Sequence, residues 1–319
     1  MSNKSANFSP EWIEWESKVG IRPLLSGDAY NMRAQFEGLR QLLQSQWGEP
    51  DSGVSSTDVV TDKGIQARVY SPTASAGKKV PMGVFYHCGG YCIGSIEAED
   101  VLVRNLCLRS QTVIISIEYR LAPEHTAPTA LQDCCDATLW AIQNADKFGA
   151  DCSQVYTIGP SAGAALAVSV FLKLYDGGFK NSIKGIVSMS PCWIHPDNLG
   201  EYKDQHKSFI NSVGNLPVID ANSMRNFYDT YKSPLDDKYT FALGYPDLSV
   251  LPRLYLVGAE LDPLRDDAVI FDKKLSDAGV DHKLKMYLGL PHVFWLFPLK
   301  ASLEFFDDTA KGISYVLEK

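Results

Sequence analysis

The chain has 319 residues, of which 45% are hydrophobic and 21% charged, and its formal net charge is −8. This composition is that of an ordinary globular protein, and the absence of clustered Lys and Arg argues against nucleic-acid binding. No stretch approaches the roughly 20 apolar residues of a membrane span, and the N-terminus lacks the apolar centre of a signal peptide. Seven cysteines in no disulfide-type framework favour a cytoplasmic protein, with Cys134 and Cys135 expected as packing and surface residues of a helix.

Two helices and two strands are predicted in the first part of the chain. Ser9-Pro10-Glu11 is typical of a helix start, because it offers a capping hydroxyl, a proline in the first turn and an acid that the helix dipole favours. A second helical pattern runs from Met32 to Trp47. Two strands follow at 54–61 and 65–72, and Asp62-Lys63-Gly64 forms the turn between them.

From residue 80 onwards the pattern alternates between strands and helices. Strands are predicted at 80–87, 112–119, 155–159, 183–191, 252–260 and 282–289, and helices at 99–110, 128–149, 162–175, 263–279 and 302–319. Most of these strands are apolar on both faces, which indicates a mostly parallel sheet covered by helices on both sides. Residues 192–250 lack the alternation and are interpreted as an insertion over one end of the sheet. We therefore predict a helical lid formed by residues 1–50 and this insertion, above an α/β domain at 51–319.

The motif Gly159-Pro160-Ser161-Ala162-Gly163 lies between a predicted strand and a predicted helix. In that context a G-x-S-x-G motif forms a tight turn that needs small neighbours and raises the serine hydroxyl above the sheet. The serine then lies at a helix N-terminus, which favours negative charge. A glycine-rich turn with a capping serine is the simpler alternative, but the motif in this context predicts a nucleophile at Ser161.

A serine hydroxyl is a weak nucleophile unless a base accepts its proton and an acid orients that base. Asp262 and His292 each follow the end of a predicted strand, in the chain order that this motif requires. Sites in parallel sheets form beyond those strand ends. Asp262 could instead only cap a helix, and His292 could be an ordinary loop histidine. Asp266 and Asp267 are the fallback acids, and both are expected to face solvent.

The stretch YHCGGYCIG, from Tyr86 to Gly94, admits three roles: a metal site, a redox pair, or a loop that acts through its backbone. A metal site needs further Cys or His ligands at suitable spacing, and the chain has no second cluster of them. The cysteines stand in a C-x-x-x-C pattern rather than the reactive C-x-x-C pattern. Glycines allow close approach of the backbone to a substrate, so the third role is favoured: N–H donors for an oxyanion.

These motifs, taken in order, resemble those of the hormone-sensitive-lipase-like carboxylesterases of the α/β-hydrolase fold. The matching stretches are HCGGYCIG at 87–94, YRLAPE at 119–124, GPSAG at 159–163, DPLRD at 262–266 and GLPHVF at 289–294. The resemblance covers about residues 50 to 319, and the two leading helices fit the N-terminal lid of that family.

The resemblance implies an α/β-hydrolase catalytic domain in which Ser161 is the nucleophile, His292 the base and acid, and Asp262 the orienting acid. It further implies three N–H donors to the oxyanion: Gly89, Gly90 and Ala162. The motifs also imply supporting roles for His87, Tyr119 and Glu124. Of these, Tyr119 and Glu124 are expected to pack behind the site.

Three residues depart from the family pattern. Cys88 replaces the first glycine of the HGGG loop, and Ala164 replaces a common glycine after the serine motif. Pro160 replaces the usual aspartate before the serine, which removes one N–H group and one charge. None of these departures removes a member of the triad.

The expected function is hydrolysis of carboxylic esters with small or medium acyl groups through an acyl-enzyme on Ser161, with a biosynthetic intermediate among the candidate substrates. No metal or organic cofactor is expected, and the expected partners are a small-molecule ester and a second copy in a homodimer. Thioesters and lactones stay open as substrates. The alternatives are a non-catalytic small-molecule receptor on the same fold, or a non-hydrolytic acyltransferase or lyase. Aromatic residues of the lid are candidates for lining an acyl pocket: Trp12, Trp15, Trp193, Phe209, Phe227, Tyr228 and Tyr231.

Overall fold

A computed structural model describes residues 7–49, 51–212, 214 and 216–318. Parts of three predicted segments lie outside these described residues: 1–6 and 50 of the N-terminal segment, 213 and 215 of the insertion, and 319 of the last helix.

The sheet contains eight strands within the described residues. They are β1 (Val54–Val60), β2 (Gln66–Pro72), β3 (Val80–Tyr86), β4 (Val113–Glu118), β5 (Ala150–Pro160), β6 (Gly185–Met189), β7 (Arg253–Leu261) and β8 (His282–Pro291). Their order is β1-β2-β4-β3-β5-β6-β7-β8. Strand β2 pairs antiparallel with β1 and β4, and every other pairing is parallel, so the prediction of a mostly parallel sheet is confirmed.

The helices of the described residues cover this sheet and its C-terminal edge. They are α1 (Pro10–Val19), α2 (Ala29–Trp47), α3 (Asp100–Ser110), α4 (Thr129–Gln143), α5 (Ala162–Asp176), α6 (Ser208–Asn211), α7 (Ala221–Tyr231), α8 (Arg265–Asp277) and α9 (Lys300–Leu317). Helix α4 ends earlier than the predicted 128–149, because the chain leaves the helical conformation at Asn144 and a 3₁₀ turn carries it to Gly149. None of these helices is long and apolar enough to cross a membrane.

Helices pack on the sheet in two layers. Helices α3 and α9 contact each other and the sheet, and α4 and α5 form a second contacting pair against β3 and β5. Helix α5 is buried around most of its circumference, which fits its apolar sequence AGAALAVSVFLKLY. The layered α/β architecture therefore holds the start of α5, directly after β5, in a rigid position.

The N-terminal helices and the insertion meet above the C-terminal ends of the strands. Helix α2 contacts α7, and a bridge joins Leu24 to Val218. Helix α7 begins with a capping box, in which Asp220 accepts from the N–H of Ser223 and the hydroxyl of Ser223 accepts from the N–H of Asp220. The ring of Trp12 lies against Phe297, with 4.8 Å between the centroids. These contacts place both segments beside the loop that follows β8.

Candidate active site

Ser161 occupies the turn between β5 and α5 in a backbone conformation that few residues other than glycine adopt. Its φ is 55° and its ψ is −119°, which is a strained combination for a residue with a side chain. A Cβ atom on Gly159 or Gly163 would collide with the carbonyl oxygen of Tyr86, so both flanking glycines are needed for the turn to sit against β3. The turn buries Ser161 to 4% exposure and aims its hydroxyl at the loop after β8.

His292 joins Ser161 and Asp262 in one hydrogen-bonded chain. The distance from His292 Nε2 to Ser161 Oγ is 3.0 Å, and the distance from His292 Nδ1 to Asp262 Oδ2 is 2.7 Å. With Nδ1–H donating to the carboxylate, Nε2 is left as the acceptor for the serine hydroxyl. Asp262 also accepts the N–H of Leu264 through Oδ1, so it makes the local capping contact as well as the contact with histidine. All three members are buried.

The loop after β3 presents main-chain N–H groups next to Ser161. Gly89 has a φ of 116° and Gly90 a φ of 59°, and a Cβ would strike the carbonyl of Ile93 at the first position and the ring of Phe227 at the second. Within the described part of the chain, the N–H groups of Gly89, Gly90 and Ala162 donate to no carbonyl or side chain. Unpaired donors beside a nucleophile are what an oxyanion requires.

Tyr119 and His87 support this loop from behind. Their rings stack with 4.0 Å between centroids, and the hydroxyl of Tyr119 donates to the carbonyl of His87 at 2.9 Å. His87 Nδ1 lies 2.8 Å from the carbonyl oxygen of Cys88. Tyr119 is therefore packed behind the site, as expected from the YRLAPE motif.

Glu124 does not pack behind the site, and that expectation is wrong. Its carboxylate is exposed and forms a two-pronged ion pair with Arg33 of α2, at 2.7 and 2.8 Å. The same guanidinium donates to the carbonyls of Cys92 and Ala122. Through Arg33, Glu124 thus links helix α2 to the loop that contains Gly89 and Gly90. Arg33 is distant from Glu124 in the sequence, so this pair forms only in the folded chain.

A buried carboxylate that the sequence analysis missed lies directly beneath the glycine loop. Glu99 is 1% exposed, and its Oε1 accepts the N–H of Cys88 at 3.1 Å. Its Oε2 has no partner among the described residues. Burial raises the pKa of Glu99 to about 7. The sequence carries no signal for this role, because a glutamate just before a helix is usually a surface residue.

Asp266 and Asp267 are buried, which contradicts the expectation that both face solvent. Asp267 accepts the N–H groups of Trp193 and Ile194, at 2.7 and 2.8 Å, and lies 2.7 Å from His206 Nε2. Asp266 accepts two further main-chain N–H groups of the insertion. These carboxylates are buried because the insertion folds back onto the start of α8 and brings N–H groups that need acceptors.

Burial disfavours the charged forms of both partners in the pair of His206 with Asp267. For His206 the hydrogen bond and the charge of Asp267 outweigh that cost, and its pKa is raised. For Asp267 burial dominates, and its pKa is also raised. Neither residue forms a hydrogen bond with Ser161 or His292 in the described structure. Asp266, Asp267 and His206 therefore form what we call the anchor of the insertion, which is separate from the hydrogen-bonded chain at Ser161.

The cysteines of the described residues are all free thiols. Cys88 and Cys92 are both buried, and burial raises the pKa of Cys92 to about 12. Such thiols stay protonated at neutral pH, which is unfavourable for nucleophilic or redox chemistry. Cys134 and Cys135 are both buried as well, so the expectation of a surface position for one of them is wrong. Helix α4 packs against α5 on that side.

The free space at Ser161 is small. A cavity of about 20 Å³ touches Ser161, His292 and the glycine loop. Of the lid aromatics predicted to line an acyl pocket, Phe227 lines this cavity. Phe36 of α2, which the sequence analysis did not single out, lines it too.

The chain is similar in sequence to an α/β-hydrolase family model and to proteins named as esterases. A family model described as an alpha/beta hydrolase fold matches residues 83–296. The chain is 33% identical over 316 residues to a versiconal hemiacetal acetate esterase of Dothistroma septosporum, which covers 98% of this chain and 96% of that protein. It is 33% identical over 238 residues to an arylesterase of Saccharolobus solfataricus, covering 73% of this chain and 74% of that one.

Among solved structures, the chain is similar to a hyperthermophilic esterase from the archaeon Pyrobaculum calidifontis. The two are 31% identical, with a TM-score of 0.84 and coverage of 98% of this chain and 99% of that one. The sequence comparison and the structure comparison therefore both find proteins that are named as esterases.

Proposed function

Because this chain belongs to the α/β-hydrolase fold family, in its hormone-sensitive-lipase-like branch, and is a carboxylic ester hydrolase, we propose that it works through an acyl-enzyme on Ser161. The observation that carries the proposal is the continuous hydrogen-bonded chain from Ser161 through His292 to Asp262. In this arrangement a nucleophile, a base and an orienting acid stand within hydrogen-bond reach of one another.

In the acylation half, Ser161 Oγ attacks the ester carbonyl carbon and its proton passes to His292 Nε2. The carbonyl oxygen becomes an oxyanion, which the N–H groups of Gly89, Gly90 and Ala162 stabilise. Asp262 holds the imidazolium that forms. The bond from the carbonyl carbon to the alcohol oxygen then breaks, the proton moves from Nε2 to that oxygen, and the alcohol leaves.

In the deacylation half, water takes the position of the alcohol. His292 Nε2 accepts a proton from the water as its oxygen attacks the acyl carbon, and a second tetrahedral oxyanion forms on the same N–H donors. Collapse of this intermediate breaks the bond to Ser161 Oγ, which regains its proton from the imidazolium. The free carboxylic acid leaves, and the enzyme returns to its starting state.

The acyl group of the substrate is small in this proposal. The cavity at Ser161 has a volume of about 20 Å³, little more than the roughly 10–15 Å³ that one water molecule needs, so a short chain such as acetyl requires the least movement of the lining side chains. The relative from Dothistroma septosporum is named for an acetate ester, which is consistent with a short acyl group. The helices α1, α2, α6 and α7 are proposed to act as the lid that limits this space.

The alternatives of a receptor and of an acyltransferase or lyase gain no specific support from the geometry. A receptor has no need for the 3.0 Å contact between His292 and Ser161. The cytoplasmic location and the homodimer stay predictions.

Labelling with a fluorophosphonate probe tests the proposed nucleophile, because the probe reports an activated serine. The parent protein is expected to be labelled at Ser161, and Ser161→Ala to be unlabelled. Ser153→Ala, at an exposed serine of β5, serves as the matched control and is expected to label like the parent. Release of acetic acid and alcohol from a short ester, without transfer to an added alcohol, then identifies hydrolysis. Labelling that survives Ser161→Ala contradicts the proposal.

A further inference from the structure

A second, larger cavity lies between α2, α3 and the turn that follows His292. Its volume is about 610 Å³, compared with about 20 Å³ at Ser161. Cavities of this larger size bind drug-sized molecules in proteins. Its lining includes apolar residues, among them Leu39 of α2 and Trp295 of the turn. We refer to it as the α2–α3 cavity.

Phe36 is shared by the two cavities. It lines both of them, although it is only 6% exposed. The turn after His292 also runs from one cavity to the other, since Val293 lines the small cavity and Leu296 lines the large one. Phe36 and the turn after His292 therefore connect the lining of the small cavity at Ser161 with the lining of the larger one.

The chemistry of the proposed acyl-enzyme decides which part of an ester lies toward this space. The alcohol oxygen must receive its proton from His292 Nε2, so the alcohol leaves on the side of His292. The acyl group remains on Ser161 Oγ, where the free volume is small. The turn that continues from His292 leads to the α2–α3 cavity through Val293 and Leu296.

We propose that the α2–α3 cavity binds the alcohol part of the ester, so that the substrates are short-acyl esters of bulky alcohols that carry no negative charge. This inference rests on the proposed acyl-enzyme at Ser161. Phe36 is then the residue that the alcohol contacts on its way from the serine to the cavity, and it determines how the alcohol is oriented.

The charges of the cavity lining disfavour an anionic occupant, because its carboxylates outnumber its arginines: Glu49, Asp51, Glu97 and Asp100 against Arg40 and Arg104. Its two arginines are both paired, Arg40 with Glu37 at 2.6 Å and Arg104 with Asp100 at 2.6 Å. No cation of the lining is therefore left to compensate a carboxylate or phosphate on the alcohol. Asn105 also lines the cavity; its Nδ2 donates to the carbonyl of Val101 at 2.9 Å, and its amide oxygen is a neutral acceptor for a hydroxyl group.

Filling the cavity tests the proposal. Asn105→Trp places a large side chain in the lining from α3. We expect its kcat/KM on 1-naphthyl acetate to fall at least about tenfold, because the ring occupies the space of the alcohol, while kcat/KM on ethyl acetate stays within about twofold of the parent. The ratio of rates on methyl hexanoate and methyl acetate should not change, because the acyl side is untouched.

Arg109→Trp is the matched control, because it lies one turn further along α3 and does not line the cavity. It should leave the ratio of naphthyl to ethyl acetate as in the parent. Ser45→Trp fills the cavity from α2 and should reproduce the effect of Asn105→Trp, which keeps the test valid if one variant folds poorly.

Two results overturn the proposal. One is that both acetates respond equally to the two filling variants, whether their rates are unchanged or fall together. The other is a loss confined to methyl hexanoate, which would place the acyl chain in the cavity. Failure of the underlying acyl-enzyme would appear differently, as cleavage of all these esters that survives Ser161→Ala.

Discussion

The strand-end turns that carry Ser161 and His292 are held differently from the insertion that packs above them. Ser161 is fixed by the main chain, because β5, α5 and two glycines leave it one conformation. The insertion is fixed by side chains, because the carboxylates of Asp266 and Asp267 accept its N–H groups.

This contrast teaches where each kind of substitution should act. A change at a strand-end turn removes a reacting group from a frame that stays folded. A change at the anchor of the insertion leaves every reacting group in place, but it removes hydrogen bonds that hold the insertion above the site. Activity and stability are therefore expected to separate between the two regions.

The largest effect is expected at the turns themselves. Ser161→Ala and His292→Ala should each lower kcat on a short ester by roughly 10⁴-fold or more, and the double variant should be little worse, because triad members act as a unit. The melting temperature should stay near that of the parent. Steady-state kinetics and thermal unfolding measure the two quantities, and multiplicative losses in the double variant would argue against a shared role.

The next effect is expected at the glycine loop. Gly89→Ala should lower kcat by about 10²- to 10³-fold, the typical loss of one oxyanion donor, because its Cβ would strike the carbonyl of Ile93 and displace the loop. Cys88→Gly is the matched control at the neighbouring position and should stay within a few-fold of the parent. Loss of activity in Cys88→Gly, or in the parent treated with a chelator, would contradict a backbone role for this loop.

These first two predictions concern the part of the molecule that sequence patterns describe well. The parallel sheet was predictable, because apolar strands alternate with helical segments. Ser161, Asp262 and His292 lie together as predicted, because each follows a strand end and parallel strands end at one edge of the sheet. Their catalytic roles await the kinetic measurements.

The residues that the sequence analysis missed or placed wrongly share a different property. Asp267 meets its main-chain donors 73 and 74 positions away, and Arg33 meets Glu124 91 positions away. Phe36 stands beside Ser161 only after α2 has packed over the strand ends. Hydrophobic periodicity reports which face of an element is buried, but it does not report which distant segment covers that face.

The anchor of the insertion should show the reverse of the behaviour at the turns. Asp267→Ala should lower the free energy of unfolding by about 2–4 kcal/mol, because it leaves the buried N–H groups of Trp193 and Ile194 without an acceptor. Its kcat should fall far less than in Ser161→Ala. The control is Asp272→Ala on the same helix, at a partly exposed position. A loss of kcat comparable to that of Ser161→Ala, without loss of stability, would place Asp267 in the chemistry.

The smallest effect is expected at Glu99, which is buried under the glycine loop and accepts the N–H of Cys88 but forms no hydrogen bond with the triad residues in the described structure. Burial raises the pKa of Glu99 from 4.5 to about 7 in the folded protein. The folded state therefore binds a proton more tightly than the unfolded state, and the contribution of Glu99 to stability is greatest below pH 4.5. It is lost progressively as the pH rises towards about 7. The loss amounts to about 3 kcal/mol at most.

Glu99→Gln removes this titration but keeps an oxygen acceptor for the N–H of Cys88. We expect the free energy of unfolding of the parent to decline more steeply between about pH 4.5 and pH 8 than that of the variant, by about 1–3 kcal/mol over the interval. Denaturant unfolding at the two pH values measures this double difference, in which any constant cost of the new amide cancels. Glu304→Gln, at an exposed position of α9, should show no such difference. Parallel pH profiles for the parent and Glu99→Gln would mean that Glu99 ionises as it does in the unfolded chain, and that its unpartnered oxygen is satisfied by water reaching the space under the loop.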